Sequence, residues 1–428
     1  MTSHEMLRMI FSDLHVCLSG KSIAVHNIIS YNDIVKFYHC MYIKKLFLSL
    51  LSGRTPQRPP QNTLKSWLRF GLWIALFPLL RGLAGVYSLI IRVRVGLYQA
   101  GFLTRYTLPR PVISIGNITT GGTGKTPVVI EIARLLRRRG KRVAILSRGY
   151  RRTAAEQAVV IDPQTPLDLA GDEPLLIARK LRRECASGEP DIPVIVGSQR
   201  VRSGQLAVDR FSPDVILLDD GFQHLRLQRT ADLVLIDATH PFGGGYVLPA
   251  GLLREPIAHL TRASAFLITH SDEVPTLDTI QRRLSHVNPT APIFTAIHAL
   301  DTIRNALTDE LIDPTSLKAQ PLLAVAGLGN PSSFVHLLKV LQVEPRKNLD
   351  FPDHHCYSVH DAEAIAHIIR TQQIEAIVTT EKDELKLIRY ADIFRVPLYV
   401  AAITITIQPQ SDFEEFLAHL IGEARDGS

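Results

Sequence analysis

The residues best suited to chemistry form one run, Gly121-Gly122-Thr123-Gly124-Lys125-Thr126. A glycine-rich turn ending in Lys-Thr is a phosphate cradle. Its backbone N–H groups and the following helix N-terminus face the anion, the Lys reaches terminal phosphates, and the Thr hydroxyl can ligate Mg²⁺. The setting agrees with this reading. Val112–Ile115 is a short apolar run suited to a buried parallel strand. Pro127 is acceptable in a first helical turn, where N–H groups lack intrahelical partners, and Val128–Arg138 carries a helical apolar pattern. An ordinary glycine-rich turn would not require this strand-to-helix context. There is one departure: the G-x-x-x-x-G-K-[ST] pattern wants Gly where this chain has Thr119. Thr119 and Thr120 are expected to line the nucleotide site together with Gly121, Gly122, Thr123, Gly124, Lys125 and Thr126.

Asp219-Asp220 closes an apolar strand, Val215–Leu218, which is how a phosphoryl-transfer enzyme presents a metal-coordinating carboxylate. The expected Mg²⁺ ligands are therefore Thr126, Asp219 and Asp220. Phosphoryl transfer also needs a group to position or deprotonate the acceptor. Asp172, before a helix, is one candidate. His354, beside Asp353, is another, because an imidazole can orient a carboxylate and hold its charge. Spacing alone leaves a structural role open for both. Arg148, Arg151, Arg152 and Arg254 could bind an anionic substrate bidentately. Most of the basic run Arg134–Arg142 reads as a solvated helix face.

These residues need elements to position them. With 428 residues, 46% of them hydrophobic, the chain can bury more than one core, and two or three domains are expected. A net charge of +7 suits an anionic partner: a nucleotide, a phosphorylated substrate or an anionic membrane surface. Nucleic acid is not expected, for there is no zinc-finger spacing or RNP-like motif. The four cysteines are scattered without a CxxC pair, so neither a zinc site nor a disulfide framework is supported, and a reducing cytoplasm is the simplest compartment.

Residues 1–62 form an extension without an obvious secretory signal, with Met41 as an alternative start. In 63–108 the uncharged runs Phe70–Leu80 and Gly82–Ile91 are separated by Arg81. Each is shorter than the roughly 20 residues that span a bilayer, so an interfacial helix pair with basic anchors is expected, the alternative being a buried hairpin. Strands and helices alternate through 109–294, as in a doubly wound parallel α/β domain with functional loops at strand C-termini. Residues 295–320 lack periodicity and read as a connector. A second α/β domain fills 321–428.

Gly116–Thr119 through Gly121–Pro127, Ser147–Arg152, Gly171–Pro174, Asp219–His224, Leu253–Pro256, Gly327–Pro331, Asp353–His355 and Thr380–Asp383 occur in an order that resembles the tetraacyldisaccharide 4′-kinases, the lipid A pathway kinases of Gram-negative bacteria. The match covers roughly residues 64–400. The resemblance implies two α/β/α lobes, the first a P-loop NTPase-like mostly parallel sheet, preceded by an N-terminal membrane-associated helical segment. It implies transfer of the γ-phosphate of ATP to the 4′-hydroxyl of a tetraacylated glucosamine disaccharide 1-phosphate. The place would be the cytoplasmic face of the inner membrane, with the lipid A precursor and the membrane surface as partners and no obligate protein partner. Asp172 would activate the hydroxyl, assisted by His354 rather than His355. Lys125 and Thr126 would hold phosphates and Mg²⁺, with Asp219 and Asp220 completing the metal site. Thr119 fits, because the loop of that family departs from the usual pattern at the same place.

Two other classes compete. A membrane-recruited P-loop ATPase of the partitioning or targeting type would carry Lys before the Gly-Gly of the loop, where this chain has Thr120. A GTPase would carry N-K-x-D, and Thr380-Glu381-Lys382-Asp383 lacks the Asn.

Overall fold

The computed structural model describes the backbone of residues 15–18 and 21–24, and residues 64–149, 152, 157–185 and 191–422, with side chains from 77 onward. Arg151 and Tyr150 of the basic loop, and Met41, lie outside the described residues. The described residues fall into two compact units. The smaller holds those up to Arg105 with Ile118–Gly121 and His240–Thr261; the larger holds Tyr106–Asn117, Gly122–Thr239 and those from Arg262 onward.

In the smaller unit, β1 (His15–Leu18) and β2 (Lys21–Ala24) form an antiparallel hairpin. The segment expected as a helix pair is instead one 36-residue helix, α1 (Leu64–Gln99), which continues through Pro78. Proline withholds only one N–H, and the Leu, Ala and Arg residues around it are good helix formers. Two stripes run along α1. Ala84, Ile91, Val95 and Tyr98 are buried, whereas Leu79, Leu83, Val86, Leu89 and Val93 are exposed. Among the described residues, no helix is long and apolar enough to cross a membrane.

The larger unit is organised by a single 13-stranded sheet. Its first half runs β9-β8-β3-β7-β4-β6, all parallel, with β5 antiparallel at the edge. These strands are β3 (Val112–Asn117), β4 (Val143–Ser147), β5 (Val159–Ile161), β6 (Val194–Val196), β7 (Val215–Asp219), β8 (Ala231–Asp237) and β9 (Ala265–Thr269). The alternation of side chains explains their continuous apolar runs. In β7, Val215 and Leu217 enter one core, shared with α2 (Lys125–Arg138) and α3 (Asp172–Arg183), while Ile216 and Leu218 enter the opposite one with Ala207 of α4 (Arg200–Phe211). Both faces are covered, so neither face of the strand needs a polar residue.

The second half consists of β12 (Leu322–Ala326), β13 (Lys347–Asp350) and β14 (Ala376–Thr380), ordered β13-β12-β14 and parallel, with α6 (Pro331–Val340) and α7 (Val359–Thr371) contributing to its two cores; α5 (Asp278–Val287) follows β9 in the first half. The stretch expected as a connector does not behave as one. It carries β10 (Ile293–Asn305), which pairs in parallel with β9 and antiparallel with both the short β11 (Leu311–Ile312) and β15 (Leu398–Gln408). These two long strands join the halves: Phe294, Ala296, Ile405 and Ile407 belong to the first core, Ile303 and Ala401 to the second. The last helix, α9 (Gln410–Leu420), returns to the first half, where Phe413 meets Phe294 at 5.0 Å. Residues 321–428 are therefore not a self-contained domain. A seam strand carries no single hydrophobic period, because its two ends face different cores.

Candidate functional site

The phosphate loop is held by strand ends. In the larger unit, Asn117 Nδ2 at the end of β3 donates to Thr123 Oγ1 at 2.8 Å, and Thr269 Oγ1 at the end of β9 donates to the Thr123 carbonyl at 3.1 Å. Gly124 follows with φ 74, in the left-handed region. A Cβ there would also lie 2.6 Å from His298 Nε2, so glycine is required twice over. No side chain caps α2 at Gly124, which leaves the first N–H groups of Lys125, Thr126 and their neighbours to an anion. In the smaller unit, Thr119 forms an antiparallel bridge with Leu253, flanked by Thr120 N–H to Leu252 O at 2.8 Å and Arg254 N–H to Ile118 O at 2.7 Å. Gly121 has φ 119, but Thr119 is not among the positive-φ residues. An extended, bridged position accepts a β-branched side chain, and this explains Thr in place of Gly.

Asp219 ends β7 and is 2% exposed. Its Oδ2 accepts from Ser147 Oγ at 2.8 Å, while its Oδ1 is buried without a hydrogen-bond partner. Burial, then the neighbouring Glu173 and Asp220 carboxylates, push its pKa up to about 7. Asp220, at φ 52, turns its Oδ1 to 3.8 Å from Lys125 Nζ. Among the described residues no group of three or more His, Cys, Asp or Glu could by itself hold a metal. The pair fits the Mg²⁺ pattern of one or two carboxylates completed by phosphate and water, and the orphaned Asp219 oxygen is a place for such a cation.

The residues expected on the acceptor side come together across the seam. Asp172 is the first residue of α3, in the first half, and His354 sits in the loop after β13, in the second. His354 Nδ1 lies 3.2 Å from Asp172 Oδ2, and its Nε2 lies 3.6 Å from Glu173 Oε1. Its neighbour His355 turns away, to Asp361 Oδ2 at 3.1 Å and the ring of Phe351. Two further residues that the sequence reading left without a role complete the cluster. They stand on α8 (Glu381–Leu387). Lys382 Nζ reaches Asp353 at 2.7 Å and Glu173 at 3.5 Å, and Lys386 pairs with Asp172 Oδ2. Burial alone would push Asp172 up, but the His354 hydrogen bond and the Lys386 ammonium hold it down at about 2. Burial likewise opposes Glu173, yet Lys382 and His354 keep it below the usual carboxylate range. Lys180 fastens α3 to the seam by donating to Glu381 Oε2 at 2.7 Å and to the Ile403 carbonyl at 2.6 Å. The signal for the two lysines was their i, i+4 spacing, which places them on one helix face.

A stacked histidine pair also went unread. His270 and His298 rings are 4.2 Å apart, His270 lies 3.4 Å from Asp237, and burial and His270 push His298 down to about 3. The neutral His298 ring is what crowds Gly124. Among the arginines, Arg148 is half-buried in the larger unit. There burial and its charge push the neighbouring Arg200 down to about 9. Arg254 is 3% exposed in the smaller unit. Arg134, expected on a solvated face, instead donates from Nε to Glu184 Oε2 at 2.6 Å.

A family model described as Tetraacyldisaccharide-1-P 4'-kinase matches residues 76–422. The tetraacyldisaccharide 4'-kinase of Syntrophobacter fumaroxidans is 38% identical over 327 residues, covering 74% of this chain and 83% of that protein. The protein of the same name from Pelobacter propionicus is 36% identical over 377 residues, with coverages of 87% and 97%. A crystal structure of LpxK from Aquifex aeolicus in complex with ATP superposes with a TM-score of 0.62 at 30% identity, covering 82% of this chain and 99% of that one.

Proposed function

The chain belongs to the tetraacyldisaccharide-1-P 4'-kinase family, and we propose that it transfers the γ-phosphate of ATP to the 4′-hydroxyl of a tetraacyldisaccharide 1-phosphate in lipid A biosynthesis. The observation that carries this is the presence, in one compact unit, of a phosphate loop with its acid pair and a separate Asp172–His354 pair at 3.2 Å. A nucleotide switch needs the first and has no use for the second.

Gly122–Thr126 and the N-terminus of α2 bind the phosphates, with Thr119, Thr120 and Gly121 in the preceding strand and turn. Mg²⁺, held by Thr126, Asp219 and Asp220, would neutralise charge on the β- and γ-phosphate oxygens. Asp172 takes the proton of the 4′-hydroxyl as that oxygen bonds to the γ-phosphorus. The bond from phosphorus to the β,γ-bridging oxygen breaks, ADP leaves, and the proton passes from Asp172 to solvent. A carboxylate with a pKa of about 2 suffices, because in a loose transition state the bond to the attacking oxygen is little formed, the proton leaves late, and placement of the hydroxyl counts for more than base strength. His354 keeps Asp172 oriented. Arg148, Arg151 and Arg254 are guanidinium groups suited to the anionic acceptor. The exposed row Leu79, Leu83, Val86, Leu89 and Val93, with exposed Arg81 and Arg92, suits an interfacial helix at the cytoplasmic face of the inner membrane.

Purified protein given ATP, Mg²⁺ and the disaccharide lipid in detergent should form the 4′-phosphorylated product. Nucleotide turnover without lipid phosphorylation would favour the switch.

A further inference from the structure

Lys386 has no part in the reaction just described. Its side chain is 4% exposed, and it stands one helical turn beyond Lys382, facing Asp172 Oδ2. His354 Nδ1 approaches the same oxygen. Both partners thus engage Oδ2, and no described residue bonds Asp172 Oδ1. We infer that Lys386 is a positioning residue for the acceptor-activating carboxylate: with His354 it clamps Oδ2 and thereby presents Oδ1 to the acceptor hydroxyl. The inference rests on the kinase reading above.

Three physical points support it. The terminal torsion of an aspartate is broad, so a carboxylate held by one partner can exchange its oxygens, whereas two partners on one oxygen fix the other. Lys386 is buried, and a buried ammonium without a counter-charge is costly, so the clamp is already formed without substrate, as preorganisation requires. The clamp also lowers the basicity of Asp172. That would be a poor bargain for a group chosen for base strength, but it suits one chosen for placement. The other charges around Asp172 are Glu173 on its own helix, Asp353 and His354 in the loop after β13, and Lys382 on α8.

The test compares Lys386→Met, Lys386→Gln and Lys386→Arg in wild-type and Asp172→Asn backgrounds, each checked for folding. Lys386→Met should lower kcat about 10–100-fold, the usual cost of a misplaced catalytic group, with the KM for ATP within about twofold. Without the ammonium Asp172 titrates higher, so the acid limb of kcat/KM should move up by about one pH unit or more. Lys386→Arg should recover most of both effects. In the Asp172→Asn background Lys386→Met should cost nothing further. A wild-type pH profile and kcat in Lys386→Met, or an undiminished loss in the Asp172→Asn background, would overturn the inference. If Lys386→Met does not fold, Lys386→Gln and Lys386→Arg decide it: Gln must shift the limb and Arg must not. Absence of lipid phosphorylation by the wild-type protein would strike the kinase reading instead.

Discussion

Asp219 and Asp172 are both largely buried aspartates in the larger unit, and burial pushes both toward the protonated form. Their neighbours shift them in opposite directions. Around Asp219 the nearest charges include Glu173 and Asp220, and its pKa rises to about 7; around Asp172 the nearest are His354 and Lys386, and its pKa falls to about 2. The acceptor side is electrostatically complete from the chain's own residues. The phosphate side sets Asp219, Asp220 and Glu173 against Lys125 and Arg200, and one buried Asp219 oxygen is left without a partner. A catalytic centre that binds a phosphate–metal complex must keep room for positive charge, whereas a group that orients a hydroxyl is best finished in advance.

The comparison can be broken in order of effect. Asp172→Ala should lower kcat by about 10²–10⁴-fold while leaving nucleotide affinity nearly unchanged; single-turnover kinetics with a nucleotide titration would show it, and undiminished turnover would take Asp172 out of the base role. Stability should then move in opposite directions at the two sites. Asp172→Asn leaves Lys386 buried without its counter-charge, and urea denaturation should register a loss of about 2–4 kcal/mol. Asp219→Asn removes a carboxylate that burial and the Glu173 and Asp220 carboxylates disfavour in its charged form, and in metal-free buffer at pH 8 it should gain on the order of 1–2 kcal/mol. Two changes of the same sign would dissolve the distinction.

The pH windows also differ. Asp172 has a folded pKa below its unfolded value of about 3.9. Its stabilisation is present above about pH 4 and is lost as pH falls through about 2, so the deficit of Asp172→Asn should close in that interval. Asp219 has a folded pKa above its unfolded one. The gain of Asp219→Asn should therefore be full above about pH 7 and gone by about pH 4. Melting temperatures of each variant against wild type across this range would test both. The smallest effect belongs to a pair outside either cluster: Arg182 and Asp191 are each 58% exposed, and Arg182→Ala should change stability by less than about 0.5 kcal/mol.

Much of the site was legible as local grammar. A Gly-rich turn between an apolar strand and a helix and an Asp pair after four apolar residues each suggest their chemistry within a few residues, whereas Asp172 at a helix start reads equally well as a structural residue until the order of the motifs along the chain is added. The helical segment before the loop was found, but its single helix was read as two, since Pro78 and Arg81 look like a break when the smaller unit that packs one side of α1 is not in view. The seam was missed for a different reason. β10 faces one core at Phe294 and another at Ile303, and a window of sequence averages the two. His270 and His298 carried no signal, lying 28 residues apart, one just past the end of β9 and the other on β10.

The sequence by itself pointed to the family and so to the class of reaction, and it marked the Gly-rich loop and the acid pair as candidates, because these depend on residue types within short spans and on their order along the chain. Only the tertiary structure decided which histidine meets Asp172, which oxygen of that carboxylate is engaged, and why Thr119 replaces a glycine. Those depend on contacts between residues far apart in the chain, on burial that reverses or reinforces a charge, and on backbone bridges that no local pattern records. The Gly-rich loop could be read as a candidate site from its own letters; that Asp172 is already held by His354 and Lys386 could be seen only once the two halves of the sheet were joined.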